Sequence, residues 1–285
     1  MTVDIICPLY NAKKYIRNLQ KSLEMQKDVN ILSIRYIVTN TEDGIENELK
    51  KLKCKFRIIG KEEFSHSLIR EEEAFKSEAD LVVFITQDVK IEKDNWLFEL
   101  IKPIEKNEAD ATYSRQICKD KTSIEYYTRQ KNYPNISKLK TKNDIKDLGM
   151  NAFFFSDASS CIKRNVFVKL NGYDNKNFPT NEDMYIAYKL LNNGYRIKYV
   201  AESEVIHSHK FTLRQTFNRY KAYGEFLKME PELNIKSTKA GSSLAKFIIK
   251  EALKDGNFSV ILKFFPDMCS RYIGMKVGKK IGKQN

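Results

Sequence analysis

Leu81-Val82-Val83-Phe84-Ile85-Thr86-Gln87-Asp88 decides how the rest of the chain is read. Five successive apolar residues, three of them β-branched, suit a central parallel strand covered on both faces, and the run is too short for a buried helix. Asp80 precedes it and the polar Thr86-Gln87-Asp88 ends it. Asp88 is therefore expected just past the strand's carboxyl end, where open α/β sheets place their ligands.

Toward the N-terminus, Val3 to Cys7 reads as a strand that leaves through Pro8-Leu9-Tyr10-Asn11-Ala12. Asn11 is expected to cap a helix over Lys13 to Gln26, whose Ile16, Leu19 and Leu23 share a face. Strands over Ile34 to Val38 and Lys55 to Ile59 enclose the polar turn at Thr39 to Asp43 and a helix over Ile45 to Lys53. The next helix, capped by Ser65 or Ser67 and running to Ser77, carries His66 and Arg70 one turn apart. An arginine there opposes the helix dipole, which is explained either by an anion such as a diphosphate or by pairing with Glu62 or Glu73.

Past Asp88, a helix over Asp94 to Lys106 holds the only tryptophan, Trp96, and a strand over Ala111 to Gln116 ends in Arg115-Gln116. The long basic stretch from Asp120 to Asp147 has helical periodicity around Ile124 to Gln130. Phe153-Phe154-Phe155 reads as a core strand and Ser156-Asp157-Ala158-Ser159-Ser160 as the polar turn after it. Strands alternating with helices predict parallel βαβ units with right-handed crossovers, whose strand-to-helix turns gather beside Asp88. In such a fold that edge binds a nucleotide.

Composition narrows the classes. With 42% hydrophobic and 31% charged residues among 285, the chain is that of a folded soluble protein. No apolar run approaches the roughly 20 residues of a membrane span, and Met1-Thr2-Val3-Asp4 leads into a strand without a signal pattern, so a cytoplasmic location is expected. Cys7, Cys54, Cys118, Cys161 and Cys269 are scattered, which predicts reduced thiols and neither a disulfide framework nor a zinc site. The net charge of +13 calls for an anionic partner. No zinc knuckle, RNP motif or basic-aromatic repeat points to nucleic acid. Pro8 to Ala12 contains no glycine, which argues against a nucleotidyltransferase.

A second constellation is Asn181-Glu182-Asp183-Met184-Tyr185, opening a helix whose apolar face continues through Ile186, Ala187, Leu190 and Leu191 to Gly194. Paired carboxylates in a first turn are ordinary dipole complementation. After a strand over Tyr195 to Val200, however, comes His207-Ser208-His209, two of the three histidines. A carboxylate pair, an HxH and a strand-end Asp in one α/β domain point to a metal-assisted transfer site.

These residues resemble the family 2 glycosyltransferases of the glycosyltransferase-A fold: Val3 to Cys7 with Pro8-Leu9-Tyr10-Asn11, Thr86-Gln87-Asp88, Glu182-Asp183 and His207-Ser208-His209. More narrowly, Phe64-Ser65-His66-Ser67-Leu68-Ile69-Arg70-Glu71, Ser114-Arg115-Gln116, Asn132-Tyr133-Pro134, Phe153 to Asp157 and Arg219-Tyr220 are similar to bacterial rhamnosyltransferases that extend rhamnan or other cell-wall and capsular polysaccharides. The likeness covers nearly the whole chain, with the motifs in the family's order. It departs from the wider pattern in having Thr86-Gln87-Asp88 for the usual Asp-x-Asp, and Thr39-Asn40 where an Asp often ends the second strand.

The resemblance implies an α/β fold, a mostly parallel central sheet flanked by helices, with a catalytic domain over 1–239 and a helical appendage over 240–285. It implies an inverting transfer, from a nucleotide sugar such as dTDP-β-L-rhamnose to a lipid-linked glycan, assisted by Mg²⁺ or Mn²⁺. Asp88 then corresponds to the metal carboxylate, with His207, favoured, or His209 adding a nitrogen. Asp183 corresponds to the general base and Glu182 to the group that orients it or the acceptor. Pro8, Tyr10, Asn11 and Gln87 fall on the donor side, with Asp43 near the nucleoside and Arg70 and His66 near the diphosphate. Tyr10 can equally be packing and Asp43 a helix cap. Trp96, Arg115 and Gln116 fall on the acceptor side. Other classes compatible with the residues are a transferase using a UDP- or GDP-sugar and a non-catalytic polyanion-binding scaffold.

The tail reads as amphipathic. Leu244, Phe247, Ile248 and Ala252 form an apolar stripe beside Lys246, Lys250 and Lys254, and residues 242–285 hold nine Lys/Arg against three Asp/Glu. Two placements are open: helices packed on the core, or peripheral contact with the inner face of the cell membrane, which lipid-linked acceptors favour.

Overall fold

The computed structural model describes residues 1–235 and 240–282. In chain order the first half comprises β1 (Thr2–Leu9), α1 (Lys13–Glu24), β2 (Asn30–Thr39), α2 (Ile45–Lys51), β3 (Phe56–Ile59), α3 (His66–Phe75), β4 (Leu81–Ile85), α4 (Trp96–Glu105) and β5 (Ala111–Ile117). There follow α5 (Ile124–Asn132), β6 (Lys138–Lys140), α6 (Asp144–Leu148), β7 (Ser159–Lys163), α7 (Arg164–Lys169), α8 (Glu182–Asn192), β8 (Ile197–Ile206), α9 (Leu213–Met229), α10 (Ala240–Lys254) and α11 (Phe258–Ile281). The eight strands form one sheet in the order β3-β2-β1-β4-β7-β5-β8-β6.

β4 lies fully buried inside this sheet, as its apolar run requires. Its side chains alternate between two cores: Leu81, Val83 and Ile85 join Ile16, Leu19 and Leu23 of α1, while Val82 and Phe84 join Ile69 of α3 and Phe167 of α7. β1, β2, β3 and β4 are parallel, and so are β5 and β8.

The sheet is mostly parallel as expected, interrupted by β7, which runs antiparallel between β4 and β5, and by β6, antiparallel to β8. Several expectations change. Ser159 and Ser160, read as a turn, begin that central strand. Phe153 instead ends a 3₁₀ turn over Gly149–Phe153, although Phe153 and Phe155 are core as expected. Asn11 does not cap α1; it sits at φ +49, and the amide of Lys13 is taken by Asp43 from the turn before α2. Ser65 is the cap of α3, accepting from the Leu68 amide. β8 runs past Val200 to Ile206, with a register shift opposite Ser114/Arg115.

The stripe expected on α10 packs inward: Ile248 and Ala252 are buried with Tyr127 of α5 and with Val260 and Phe264 of α11. The boundary expected after residue 239 falls beside 236–239, outside the described residues. α11 in turn lies along α9 with backbones in contact. A Cβ on Gly278 would fall far inside van der Waals contact with the Lys221 carbonyl oxygen, and one on Gly224 far inside contact with that of Met275. Substituting Gly278 by Leu is expected to prise α11 off α9, seen as new protease cleavage after residue 235 with the sheet's far-UV signature retained; an unchanged digestion pattern would contradict this packing.

Candidate active site

Three backbone hydrogen bonds assemble the edge beyond β4. Lys90 and Ile206 exchange amide and carbonyl at 2.9 Å each, which fastens the turn after Asp88 to the end of β8. The His207 amide donates to the Ile117 carbonyl at 3.0 Å, so the last residues of β5 hold it as well. Asp88, two residues before Lys90, thereby meets His207 and His209 just after Ile206.

The three side chains converge. His207 Nε2 lies 3.5 Å from Asp88 Oδ1, His209 Nε2 lies 3.5 Å from Asp88 Oδ2, and the two Nε2 atoms are 3.1 Å apart. Gln116 Oε1 pairs with His207 Nδ1 at 2.9 Å, and Gln116 Nε2 donates to Ser156 Oγ at 2.7 Å. The amide orientation makes Nδ1 the protonated nitrogen and leaves Nε2 a lone pair. Burial works against ionised Asp88, but the neighbouring rings of His207 and then His209 hold it well below the usual carboxylate range. His209 is pushed below an ordinary histidine by burial, then by His207.

His207 Nε2 then meets Asp88 with a lone pair, and its contact with His209 Nε2 at 3.1 Å is favourable when a proton or a cation lies between them. One oxygen and two nitrogens, each within 4.8 Å of the others, make a set that a divalent ion fits. Ligands on adjacent corners of an octahedron with bonds of about 2.1 Å are about 3 Å apart, near the spacing here. Among the described residues this is the one such His/Cys/Asp/Glu group found.

A cavity of about 560 Å³ opens at the carboxyl ends of β1, β2 and β3, lined by Tyr10, Asn11, Asn40, Thr41, Glu42, Gly60, Lys61 and Glu62. Gln87 ties it to the cluster: its side chain accepts from the Tyr10 amide at 2.6 Å and donates to the Tyr10 carbonyl at 2.7 Å. Tyr10 and Asn11 are exposed here, and Pro8 lies half-buried at the end of the same strand. Asp43 does not line the cavity. Its carboxylate accepts from Thr41 and from the amides of Lys13 and Ile45, which keeps it ionised below its ordinary range.

The carboxylates of α8 form a second centre. Arg70, 2% exposed, donates from Nη1 to Glu182 Oε1 at 2.8 Å and to the His66 carbonyl at 3.0 Å. It is therefore a buried partner of Glu182, and neither a surface pair with Glu62 or Glu73 nor an open diphosphate contact. His66 itself remains on the exposed first turn of α3, edge-on to Phe64. Asp157, taken from the chain just before β7, accepts from Tyr173 and Ser160 and faces the same guanidinium. Asp183, half-buried beside them, is pushed well above an ordinary carboxyl by burial and by the charges of Glu182 and Asp157, against a smaller opposing pull from the Met184 amide and Arg70.

The residues expected on the acceptor side are mostly committed elsewhere. Trp96 is wholly buried, its indole N–H shared between Ser114 and Ser159 at 3.1 and 3.2 Å, so it cannot touch an acceptor. Gln116 is buried behind His207. Arg115 is spent on Glu204, Asn135 and the Tyr133 carbonyl. Unforeseen from the sequence are Ser156 and Asp157, whose neighbouring side chains brace the two centres, and Glu125, which accepts from the His209 amide. Arg219 was equally unassigned; it stacks on Phe211, which stacks on His209.

Comparison with known proteins follows this geometry. Residues 4–170 match the family described as Glycosyl transferase family 2. The O-antigen chain rhamnosyltransferase WbaN of Salmonella anatum is 30% identical over 96% of this chain and 88% of its own length. The O-antigen chain rhamnosyltransferase RfbN of Salmonella typhimurium is 29% identical over 98% and 90%. Among solved structures, S. aureus TarS 1-349 in complex with UDP-GlcNAc aligns with a TM-score of 0.60 at 15% identity, over 87% of this chain and 70% of that one. The mannosyltransferase PcManGT from Pyrobaculum calidifontis in complex with GDP-Man and Mn²⁺ aligns with a TM-score of 0.58 at 11% identity, over 99% and 76%. At these identities the structural likeness carries the fold alone.

If Gln116 sets the tautomer of His207, Gln116→Leu should weaken Mn²⁺ binding by about 10–100-fold, measured by titration of the free ion's EPR signal. Gln116→Glu, which keeps an acceptor in place, should bind close to normally. Equal affinity in all three proteins would sink the assignment.

Proposed function

The chain belongs to glycosyl transferase family 2, and on that premise we propose that it is an inverting, metal-assisted rhamnosyltransferase acting on a lipid-linked surface-polysaccharide intermediate at the inner membrane face. Its fold is of the glycosyltransferase-A class. The convergence of Asp88, His207 and His209 beside the cavity of β1 to β3 carries the reading, and the names of the two Salmonella relatives support rhamnose, with dTDP-β-L-rhamnose as donor.

On this reading the nucleoside enters the cavity lined by Tyr10, Asn11, Asn40 and Thr41, and its diphosphate points past Gln87 toward Asp88. A divalent cation held by Asp88, His207 and His209 supplies charge compensation for the departing diphosphate. Two imidazoles and one carboxylate suit Mn²⁺ better than Mg²⁺, which prefers oxygen throughout. The acceptor hydroxyl oxygen bonds to the anomeric carbon from the face opposite the diphosphate as the carbon–oxygen bond to the phosphate breaks. The bonding pair leaves with the nucleoside diphosphate, the hydroxyl proton passes to Asp183, and the centre inverts. A base with a raised pKa is stronger than an ordinary Asp, which suits removal of an alcohol proton. Glu182, fixed by Arg70, holds that base in place.

Calorimetric titration of dTDP-rhamnose, UDP-glucose and GDP-mannose, each with and without Mn²⁺, tests the donor. Metal-enhanced binding of the dTDP sugar alone is expected; preference for another sugar nucleotide would remove rhamnose while leaving the family intact. Asp183→Asn should lower transfer by about 10²–10⁴-fold with donor binding largely kept. The wild-type rate should fall on the acid side around a pKa above that of an ordinary Asp, because the base must be ionised. The same shift has a stability sign: a carboxyl whose pKa is raised on folding stabilises only while protonated, and that contribution is lost as pH rises through the folded value. Asp183→Asn should therefore melt no lower than wild type above that pH. Unimpaired transfer by Asp183→Asn would remove it as the base.

A further inference from the structure

α11 is apolar on two opposite faces, and one of them is unpacked. Its inner face is laid on α9 through Gly274 and Gly278, while Val260 and Phe264 close against Tyr127, Ile248 and Ala252. The opposite face carries Phe258, Leu262, Phe265, Cys269 and Tyr272, at successive spacings of four, three, four and three residues, with Ile273 beside them. That spacing makes one continuous stripe along the helix. Phe258, Leu262, Phe265, Tyr272 and Ile273 are between 53% and 76% exposed. A helix that is apolar all round is ordinarily covered on all sides, and a contiguous exposed stripe marks a surface that meets something.

The charges around the stripe identify the partner. Lys276 and Lys280 are exposed on the same helix and continue the stripe at helical spacing, and Lys254 at the end of α10, paired with Glu251 at 2.8 Å, adjoins its start. The single acid of α11, Asp267, is buried and paired with Arg271 at 2.6 Å. Asp255, just ahead of the helix, is engaged by the Tyr127 hydroxyl. A two-fold contact between copies through this face would set each row of lysines against its own image, and apposed like charges disfavour it. Anionic headgroups pair with such lysines, while Phe, Leu and Tyr enter the boundary between headgroups and acyl chains. No helix among the described residues is long and apolar enough to cross a membrane, so the contact is in plane.

We propose that α11 lies flat on an anionic lipid bilayer by the stripe Phe258, Leu262, Phe265 and Tyr272, with Lys276 and Lys280 on the headgroups. The surface adds a place of work to the transferase reading and rests on it only for the acceptor being in that membrane. Of the tail expected to meet either core or membrane, the α10 stripe is packed inward and this face of α11 is left open.

The test is co-sedimentation of the full chain, without donor or acceptor, on vesicles of phosphatidylcholine alone and of phosphatidylcholine with one quarter phosphatidylglycerol. Binding should be at least tenfold tighter on the anionic vesicles, fall as salt is raised through the physiological range, and be lost in Leu262→Glu and Phe265→Glu. Both positions point outward, so melting temperature and metal-dependent donor binding should be unchanged in these variants. Equal or absent binding on the two vesicle types, or variants that bind as wild type does, would overturn the proposal. So would a dimer in light scattering that Leu262→Glu converts to monomer, since a second copy would then own the face. Donor binding is measured separately, so loss of the membrane contact and loss of the transferase reading are distinguishable.

Discussion

Two imidazole nitrogens held 3.1 Å apart, both facing one carboxylate, set the constraint around which this molecule is arranged. Such a group needs a proton or a cation between its members, and the fold goes to some length to keep it. The Lys90–Ile206 backbone pair fixes the approach of Asp88, the Ile117 carbonyl fixes the backbone of His207, and Gln116 leaves its Nε2 without a proton. A lone acid where Asp-x-Asp is usual stands here beside a pair of imidazole nitrogens, a set that could hold a divalent ion with less negative charge than two carboxylates.

The second centre runs on the opposite imbalance. Three carboxylates, Asp157, Glu182 and Asp183, surround one guanidinium, that of Arg70. Burying an ion pair such as Arg70–Glu182 gains little net stability, because desolvation offsets the attraction, but leaving one partner alone is strongly unfavourable. The pair therefore acts as a fixed anchor rather than as a source of stability. Its excess of negative charge falls on Asp183, which makes that carboxyl hold a proton more tightly. Ser156 and Asp157 join the centres through one loop: the first meets Gln116 behind His207, the second the cluster around Arg70. In the proposed transfer, charge would be neutralised on one side of the anomeric carbon and a proton removed on the other, and this loop links the two centres that would do so.

Much of this was legible in the residues. The apolar run of β4 and the alternation of short strands with helices specify the parallel half of the sheet, and a carboxylate after such a strand with an HxH after a later one marks the metal group. β7 was hidden because Ser159-Ser160-Cys161 has turn composition; its serines are tolerable in the sheet because Trp96 and Ser114, from distant parts of the chain, satisfy Ser159, and Asp157, from just before the strand, satisfies Ser160. Trp96 and Gln116 were misjudged for the same reason, since a polar or aromatic residue near a strand end does not announce whether it faces the cleft or the layer beneath. Arg70 was recognised as anomalous at a helix start, but its partner is 112 residues away. The Gly274–Gly278 spacing was a readable sign of close helix approach that the apolar patterning of α10 obscured.

The most direct measurement is pulsed EPR of Mn²⁺ bound to the protein together with dTDP. The account predicts electron spin-echo modulation from imidazole nitrogen that disappears in His207→Ala/His209→Ala, along with coupling to the phosphorus of the nucleotide. An ion surrounded by oxygen alone, with a spectrum indifferent to those two histidines, would contradict it.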